Sequence, residues 1–228
     1  METIDRKKAP EFNTLDSINF QLPEKFTLDN SIPCIYHKAE KEEVVKIEFV
    51  FKAGSKYQEK PLVSSFANSM LKEGTDKLNS FEIASKIDFY GAFLELDTNA
   101  DFGTLNIFTL SKYATEVLEI CYDVLKNPTF PQEELDKKIA ISKQKYIINQ
   151  EKVETLASEA FSKHVYKGSQ YATRTTVASF DAVTRKDCVD FYKKHYSLDE
   201  VEIFIAGNAS KELFASLNSL FGKEKLNG

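Results

Sequence analysis

The octapeptide VVKIEFVF at residues 44–51 constrains the fold more than any other stretch of the chain. From Val45 onward, apolar side chains occupy every second position, and Lys46 and Glu48 stand between them. Because successive side chains of a β-strand point to opposite faces, this alternation predicts a strand with one buried and one polar face. Two preceding segments, at 26–28 and 32–36, are rich in β-branched and aromatic residues, so the first part of the chain is predicted to contribute three strands.

The rest of the chain alternates groups of helices with groups of strands. Hydrophobic spacing predicts further strands at 92–98, 103–110 and 201–205, and helices at 62–72, 80–88, 114–126, 131–165, 185–195 and 211–221. Gly74 is predicted to cap the C-terminus of the first helix. Asn79 with Glu82, and Thr184 with Asp187, have the spacing of N-terminal caps. This order predicts an α+β fold: a mixed, mainly antiparallel sheet with helices packed on one face.

The chain is predicted to form one domain. Residues 1–25 contain Pro10, Pro23 and scattered charge, which is typical of an extended lead-in. No break in composition divides residues 26–228. Of the 228 residues, 42% are hydrophobic, which is ample for a self-supporting core.

Charge and cysteine content exclude several classes of function. A formal net charge of −5 leaves no basic field for nucleic acid or an anionic membrane. No run approaches the ~18 apolar residues of a membrane span. The N-terminus shows no apolar leader peptide, although an engineered N-terminus in place of a leader would give the same sequence pattern. Three cysteines without CxxC spacing predict buried thiols in a reducing compartment, hence a cytoplasmic protein: Cys34, Cys121 and Cys188.

The residues by themselves show no catalytic constellation. His37, His164 and His195 lie far from one another and have no i, i+4 partner, so structural roles are favoured over metal ligation. There is no GxSxG nucleophile elbow and no GxGxxG or GxxxxGK[ST] loop for phosphates. Neither a serine hydrolase nor a nucleotide-binding protein is therefore predicted.

Four segments do, however, carry a family resemblance. The first segment, 51–75, begins with FKAGS and ends with LKEGT, and the second, 79–101, contains NSFEIASKI. The third, 125–147, contains NPTFPQEEL, and the fourth, 180–208, contains TRKD, FYKKHY and AGN in that order. In order and spacing they resemble the N-terminal half of the insulinase/pitrilysin family of zinc metallopeptidases, which includes the mitochondrial processing peptidases. The resemblance extends from about residue 26 to about residue 221, and it implies the fold and a proteolytic ancestry.

The zinc motif of that family is altered here. In active members an H-x-x-E-H helix supplies two zinc-binding histidines and a general base. Aligned through LKEGT, these positions correspond to Ser65, Asn68 and Ser69. The third ligand, a glutamate on a later helix, corresponds to Lys145, and a supporting acidic position corresponds to Lys138. Neutral oxygens and an ammonium are poor zinc ligands, so no metal and no other cofactor is predicted.

Two interpretations of these positions stay open. In the first, Lys145 donates hydrogen bonds to Asn68, Ser65 and Ser69, so that a polar network fills the former metal site. In the second, the small polar residues face solvent and have no role.

The resemblance also implies a peptide-binding edge. Family members pair substrate peptides with a strand beside the zinc, and such β-augmentation needs only backbone groups. Alternatively, another part of the protein could cover this edge, since proteins often protect their edge strands in that way. The residues at the corresponding positions are Phe93, Leu94, Glu95, Leu96, Asp97, Thr98 and Asn99.

The resemblance therefore predicts a catalytically inactive family member. It would be the non-catalytic subunit that pairs with a zinc-bearing homologue to form a peptide-degrading chamber. A stand-alone peptide-binding or scaffold module is the alternative, and an active metallopeptidase with a rearranged site is the least favoured. A second homologous domain, usual in the family, is expected to lie outside a chain that stops at FGKEKLNG.

Overall fold

A computed structural model of the chain describes residues 21–39, 41–172 and 175–224, together with positions 9 and 12. The lead-in predicted at 1–25 therefore lies mostly outside the described residues. Six strands form one sheet in the order β1-β2-β6-β3-β5-β4. They are β1 Glu24–Thr27, β2 Pro33–Lys38, β3 Val44–Phe51, β4 Phe93–Thr98, β5 Gly103–Leu110 and β6 Glu202–Gly207.

The sheet is mixed and mainly antiparallel, as predicted. Only β2 and β6 run parallel, and the other four pairings are antiparallel. The alternating strand β3 lies near the middle, between β6 and β5. On its inner face Ile47 and Phe49 are fully buried, and on its outer face Lys46 pairs with Glu48 at 2.7 Å. One face thus holds the core and the other is polar.

Eight α-helices lie in the described part of the chain. Helices α1, α2 and α3 pack directly against the strands, while α7 packs on α1 and α8 packs on α3. The helices are α1 Val63–Met70, α2 Ser80–Phe89, α3 Ala114–Lys126, α4 Gln132–Asn149, α5 Val153–Val165, α6 Val177–Asp181, α7 Arg185–His195 and α8 Lys211–Leu217. Among these helices, none combines the length and the apolar character that crossing a bilayer requires.

The predicted helix at 131–165 is wrong in its continuity. The chain leaves the helical conformation after Asn149, and Lys152 is extended before α5 begins. The Gln150 side chain donates to Glu159 Oε1 at 2.6 Å across the turn. Because the break contains neither glycine nor proline, no local signal marks it. Pro131, predicted inside the helix, is instead its extended N-cap residue.

Gly74 caps the first helical segment, as predicted, although a 3₁₀ turn rather than α-helix precedes it. After α1 the chain forms a short 3₁₀ turn at Leu71–Glu73, and Gly74 is extended, with φ 161° and ψ 146°. A Cβ at Gly74 would lie 2.9 Å from Thr129 Oγ1, so close packing explains the glycine.

The other predictions about the elements need smaller changes. The capping boxes at Asn79 and Thr184 are confirmed. Strands β1, β2 and β6 differ from the predicted ranges by one or two residues at each end, and α8 ends at Leu217 in a π-helical turn at Asn218–Gly222. The five-residue helix α6 was not predicted. All three cysteines are buried and free, and burial raises the pKa of the Cys34 thiol to about 12.

Candidate functional site

Four of the residues that the resemblance aligns with the zinc site lie together in an open cleft between α1 and α4. Its volume is about 370 Å³. Ser65 and Ser69 contribute from one face of α1, and Lys138 and Lys145 contribute from one face of α4. The tertiary structure therefore brings together four of the five positions that the family resemblance singles out.

Helix α1 is held at its N-terminus by a side chain outside the helix. Leu62 precedes it in the left-handed region, with φ 75°, a conformation unusual for a residue with a Cβ. Gln58 Oε1 accepts hydrogen bonds from the Ser64 backbone N–H at 3.2 Å and from its hydroxyl at 3.0 Å. Val63, Ala67 and Met70 are buried on the opposite face. Ser65, Phe66 and Ser69 line the cleft.

Asn68, at the position of the general base, does not line the cleft. It is only 1% exposed. Its amide donates to the Tyr196 hydroxyl at 2.8 Å and to the Thr104 carbonyl at 3.2 Å. Within the described residues, Lys145 donates no hydrogen bond to Asn68, Ser65 or Ser69, so the predicted network is wrong. Asn68 instead joins α1 to β5 and to Tyr196, the residue after α7.

The two lysines of the cleft differ in their surroundings. Lys138 Nζ lies 2.9 Å from Glu73 Oε1, at the end of the turn that follows α1. Lys145 makes no hydrogen bond or ion pair within the described residues. Ser69 Oγ donates back to the Phe66 carbonyl at 3.3 Å, within its own helix.

This donor set does not fit zinc. Zn²⁺ needs imidazole, thiolate or carboxylate ligands, and the cleft presents serine hydroxyls and two ammonium groups instead. An ammonium would also repel the dication. In the described ranges, no group of three histidine, cysteine or acidic side chains could hold a metal ion.

The histidines have unrelated positions. His37 lies on β2 and His164 near the end of α5. His195 ends α7 between the rings of Tyr57 and Phe191, with ring centroids 5.5 and 4.5 Å away. Burial lowers the pKa of His195, and the nearby positive charge of Lys194 adds a smaller decrease.

The strand expected to bind peptides lies at an edge of the sheet. Strand β4 pairs with β5 on one side only. Its Phe93 side chain is 67% exposed, and Lys72 Nζ lies 3.5 Å from the Leu94 carbonyl. Asn99 is not part of the strand, since its carbonyl accepts from Ser55 N at 2.9 Å in the turn that follows. The open edge therefore comprises Phe93–Thr98.

Sequence reasoning missed several groups of the site. Ser142 lies four residues after Lys138 and three before Lys145, and this helical spacing would have placed it in the cleft. Phe180 forms part of the wall from the short helix α6, and Gln58 and Tyr196 position α1 from outside it. Phe180 and Tyr196 come from distant segments, so no local pattern marks them.

Comparisons with known proteins agree with this architecture. An uncharacterized zinc protease of Rickettsia felis is 25% identical over 203 residues, covering 87% of this chain and 49% of that protein. The beta subunit of the mitochondrial-processing peptidase of Homo sapiens is 23% identical over 168 residues, covering 70% of this chain and 34% of that subunit. The chain thus spans about half or less of the length of these relatives.

A solved structure shows the same fold. The peptidase M16 inactive domain from Pseudomonas fluorescens superposes with a TM-score of 0.81 at 20% identity, over 91% of this chain and 53% of that chain. The sequence profile of the family described as Insulinase (Peptidase family M16) matches residues 34–178. Because that match spans more than half of the chain, the protein belongs to the insulinase family of zinc metallopeptidases, peptidase family M16.

Proposed function

We propose that this chain is a catalytically inactive member of the insulinase family that works as the non-catalytic partner of a zinc-bearing homologue. The observation that carries the proposal is the donor set of the cleft, which is lined by Ser65, Ser69 and Lys145, the residues that the resemblance aligns with the zinc ligands. Asn68, at the position of the base, is committed to Tyr196 and Thr104. Among the residues that line the cleft, no side chain is suited to bind zinc or to act as the general base on a water molecule.

The retained fold supports a role beside an active subunit. A chain that lost its chemistry but kept a sheet with an open edge strand can still shape a chamber and hold a peptide. One relative is named as a subunit of a processing peptidase, and one structural neighbour is named as an inactive domain. In this proposal the homologue supplies zinc and this chain completes the enclosure.

Reconstitution tests the proposal. The purified chain, mixed with zinc and a fluorogenic peptide, is expected to release no product. Adding it to an H-x-x-E-H-bearing homologue from the same genome is expected to raise the kcat/KM of that homologue. The matched control is the homologue with its motif glutamate changed to glutamine, which must leave the mixture inactive. Stoichiometric zinc together with cleavage by the isolated chain would refute the proposal.

A peptide-binding module without a catalytic partner is the second candidate. It is favoured specifically by the exposed edge of β4, whose backbone groups can pair with an extended peptide. Peptide binding by the isolated chain, with no effect on any homologue, would favour this candidate over the first.

A further inference from the structure

The cleft between α1 and α4 contains a cation without a counter-charge. None of the residues that line it is acidic. Acidic side chains near the lining have partners of their own. Glu73 pairs with Lys138 at 2.9 Å, and Asp181 pairs with Lys143 at 2.7 Å. Glu159, whose charge acts on Tyr146, accepts a hydrogen bond from Gln150 at 2.6 Å. Lys145 is thus left as an ammonium that no described residue neutralises.

Hydroxyl groups stand on both sides of this cation. Ser142 lies one helical turn before Lys145 on α4, and Ser65 faces the cleft from α1. Neither hydroxyl has a hydrogen-bond partner within the described residues. An oxyanion in the cleft can therefore accept hydrogen bonds from an ammonium and from serine hydroxyls.

An apolar wall lies beside these donors. Phe180 packs against Phe66 and Tyr146, with ring centroids 6.4 and 5.4 Å away. The Tyr146 hydroxyl is already used, since it donates to the Thr175 carbonyl at 2.9 Å. Leu62 completes the apolar part of the lining. The cleft thus combines a positive charge with a surface suited to an apolar side chain.

We propose that this cleft binds the carboxylate of a peptide, with an adjoining apolar residue against the aromatic wall. The carboxylate is either a C-terminal one or that of an aspartate or glutamate side chain. A volume of about 370 Å³ suits one side chain with its charged group rather than a folded partner. The inference rests on the proposed peptide-handling function and names its substrate class: where active relatives hold a metal, this chain holds an anion.

Binding of tryptophan-containing peptides tests the inference. The chain has no tryptophan, so fluorescence excited at a wavelength that its tyrosines do not absorb comes from the peptide alone. Three peptides share one apolar sequence: the first has a free C-terminus, the second is amidated, and the third is amidated with one internal glutamate. At low salt we expect at least one carboxylate peptide to bind about tenfold more tightly than the neutral one, and the difference to shrink as salt is added. The tighter of the two identifies the source of the carboxylate.

Two variants, each of which removes one positive charge, show whether the preference for a carboxylate depends on Lys145. Lys145→Met is expected to remove the preference for a carboxylate. Lys137→Met is the control, because Lys137 lies on the same helix outside the cleft, paired with Glu134 at 2.9 Å, and is expected to keep the preference. Thermal melting checks that both variants fold.

Two results would overturn the inference: equal binding of all three peptides, or equal loss in both variants. Reconstitution remains an independent measurement. Stimulation of a homologue without a carboxylate preference rejects only this inference, whereas a carboxylate preference without stimulation rejects only the pairing.

Discussion

Asn68 has a structural role in helix α1, because its side chain joins the helix to two other segments of the fold. At 1% exposure it can no longer meet solvent, and its amide bridges the Thr104 carbonyl and the Tyr196 hydroxyl. Tyr196 is itself buried, against the ring of Phe51, and burial raises its pKa. A buried amide that donates two hydrogen bonds stabilises the fold, because losing it would leave two acceptors without a donor.

This pair predicts a measurable coupling. Asn68→Ala should lower the free energy of unfolding by about 1–3 kcal/mol, since buried acceptors lose their partner. Tyr196→Phe should cost about 1 kcal/mol by itself and much less in the Asn68→Ala background. Urea unfolding of the two single variants and the double variant measures the coupling. Strictly additive losses would contradict a direct hydrogen bond.

At the scale of elements, the connection between α1 and α2 is fastened to α3 by Asp123. Its carboxylate accepts from Thr75 Oγ1 and Asn127 Nδ2, each at 2.7 Å. Burial, the largest single effect, acts against its ionisation. The hydrogen bonds from Thr75 and Asn127, together with the nearby Lys77 ammonium, outweigh burial and lower the pKa of Asp123. The ionised group therefore holds the turn that ends the candidate site helix.

The lowered pKa of Asp123 predicts a pH dependence. Since the folded pKa lies below the unfolded value of ~3.9, the carboxylate adds stability above about pH 4, and this is lost as pH falls through the folded pKa. Asp123→Asn should lower the unfolding free energy at pH 7 by about 1–3 kcal/mol and should flatten its decline in acid. Denaturant titrations from pH 7 to pH 3 measure both effects. Asp190→Asn, at an exposed ion pair on α7, is the control, expected to change stability by less than ~0.5 kcal/mol.

Over the whole molecule, burial is uneven. Central strands such as β3 contribute fully buried side chains, whereas no residue of α5 is buried and Leu135 alone is buried on α4. Helix α5 even turns apolar residues outward, with Val153 at 79% and Phe161 at 66% exposure. A segment with so few buried contacts has little to hold it against local opening.

Hydrogen exchange should reveal this difference directly. Amides of α5 are expected to exchange through a low-energy local opening, and amides of β3 only on global unfolding. Mass spectrometry of deuterium uptake, with denaturant added in small steps, separates the two. Equal protection of both elements would show that the chain unfolds as a single unit.

Much of the architecture could be predicted from local rules. Alternation predicted β3, and helical spacing predicted α2, α3 and α7. The caps at Asn79 and Thr184 predicted the starts of α2 and α7. Each of these signals depends on neighbours within a few positions. The break after Asn149 escaped prediction because a contact between Gln150 and Glu159, not a glycine or proline, accompanies it.

The residue types of the site were likewise determined by the sequence alone. Serines and lysines at the ligand positions decide, by donor chemistry, that the cleft does not suit zinc. Only the tertiary structure decided that Asn68 contacts Tyr196, which lies 128 positions away. It also decided that Lys138 has an acidic partner, whereas Lys145 has none among the residues that the structure describes. The physical reason is that a side chain's partners depend on how distant segments pack, and local periodicity carries no information about that packing.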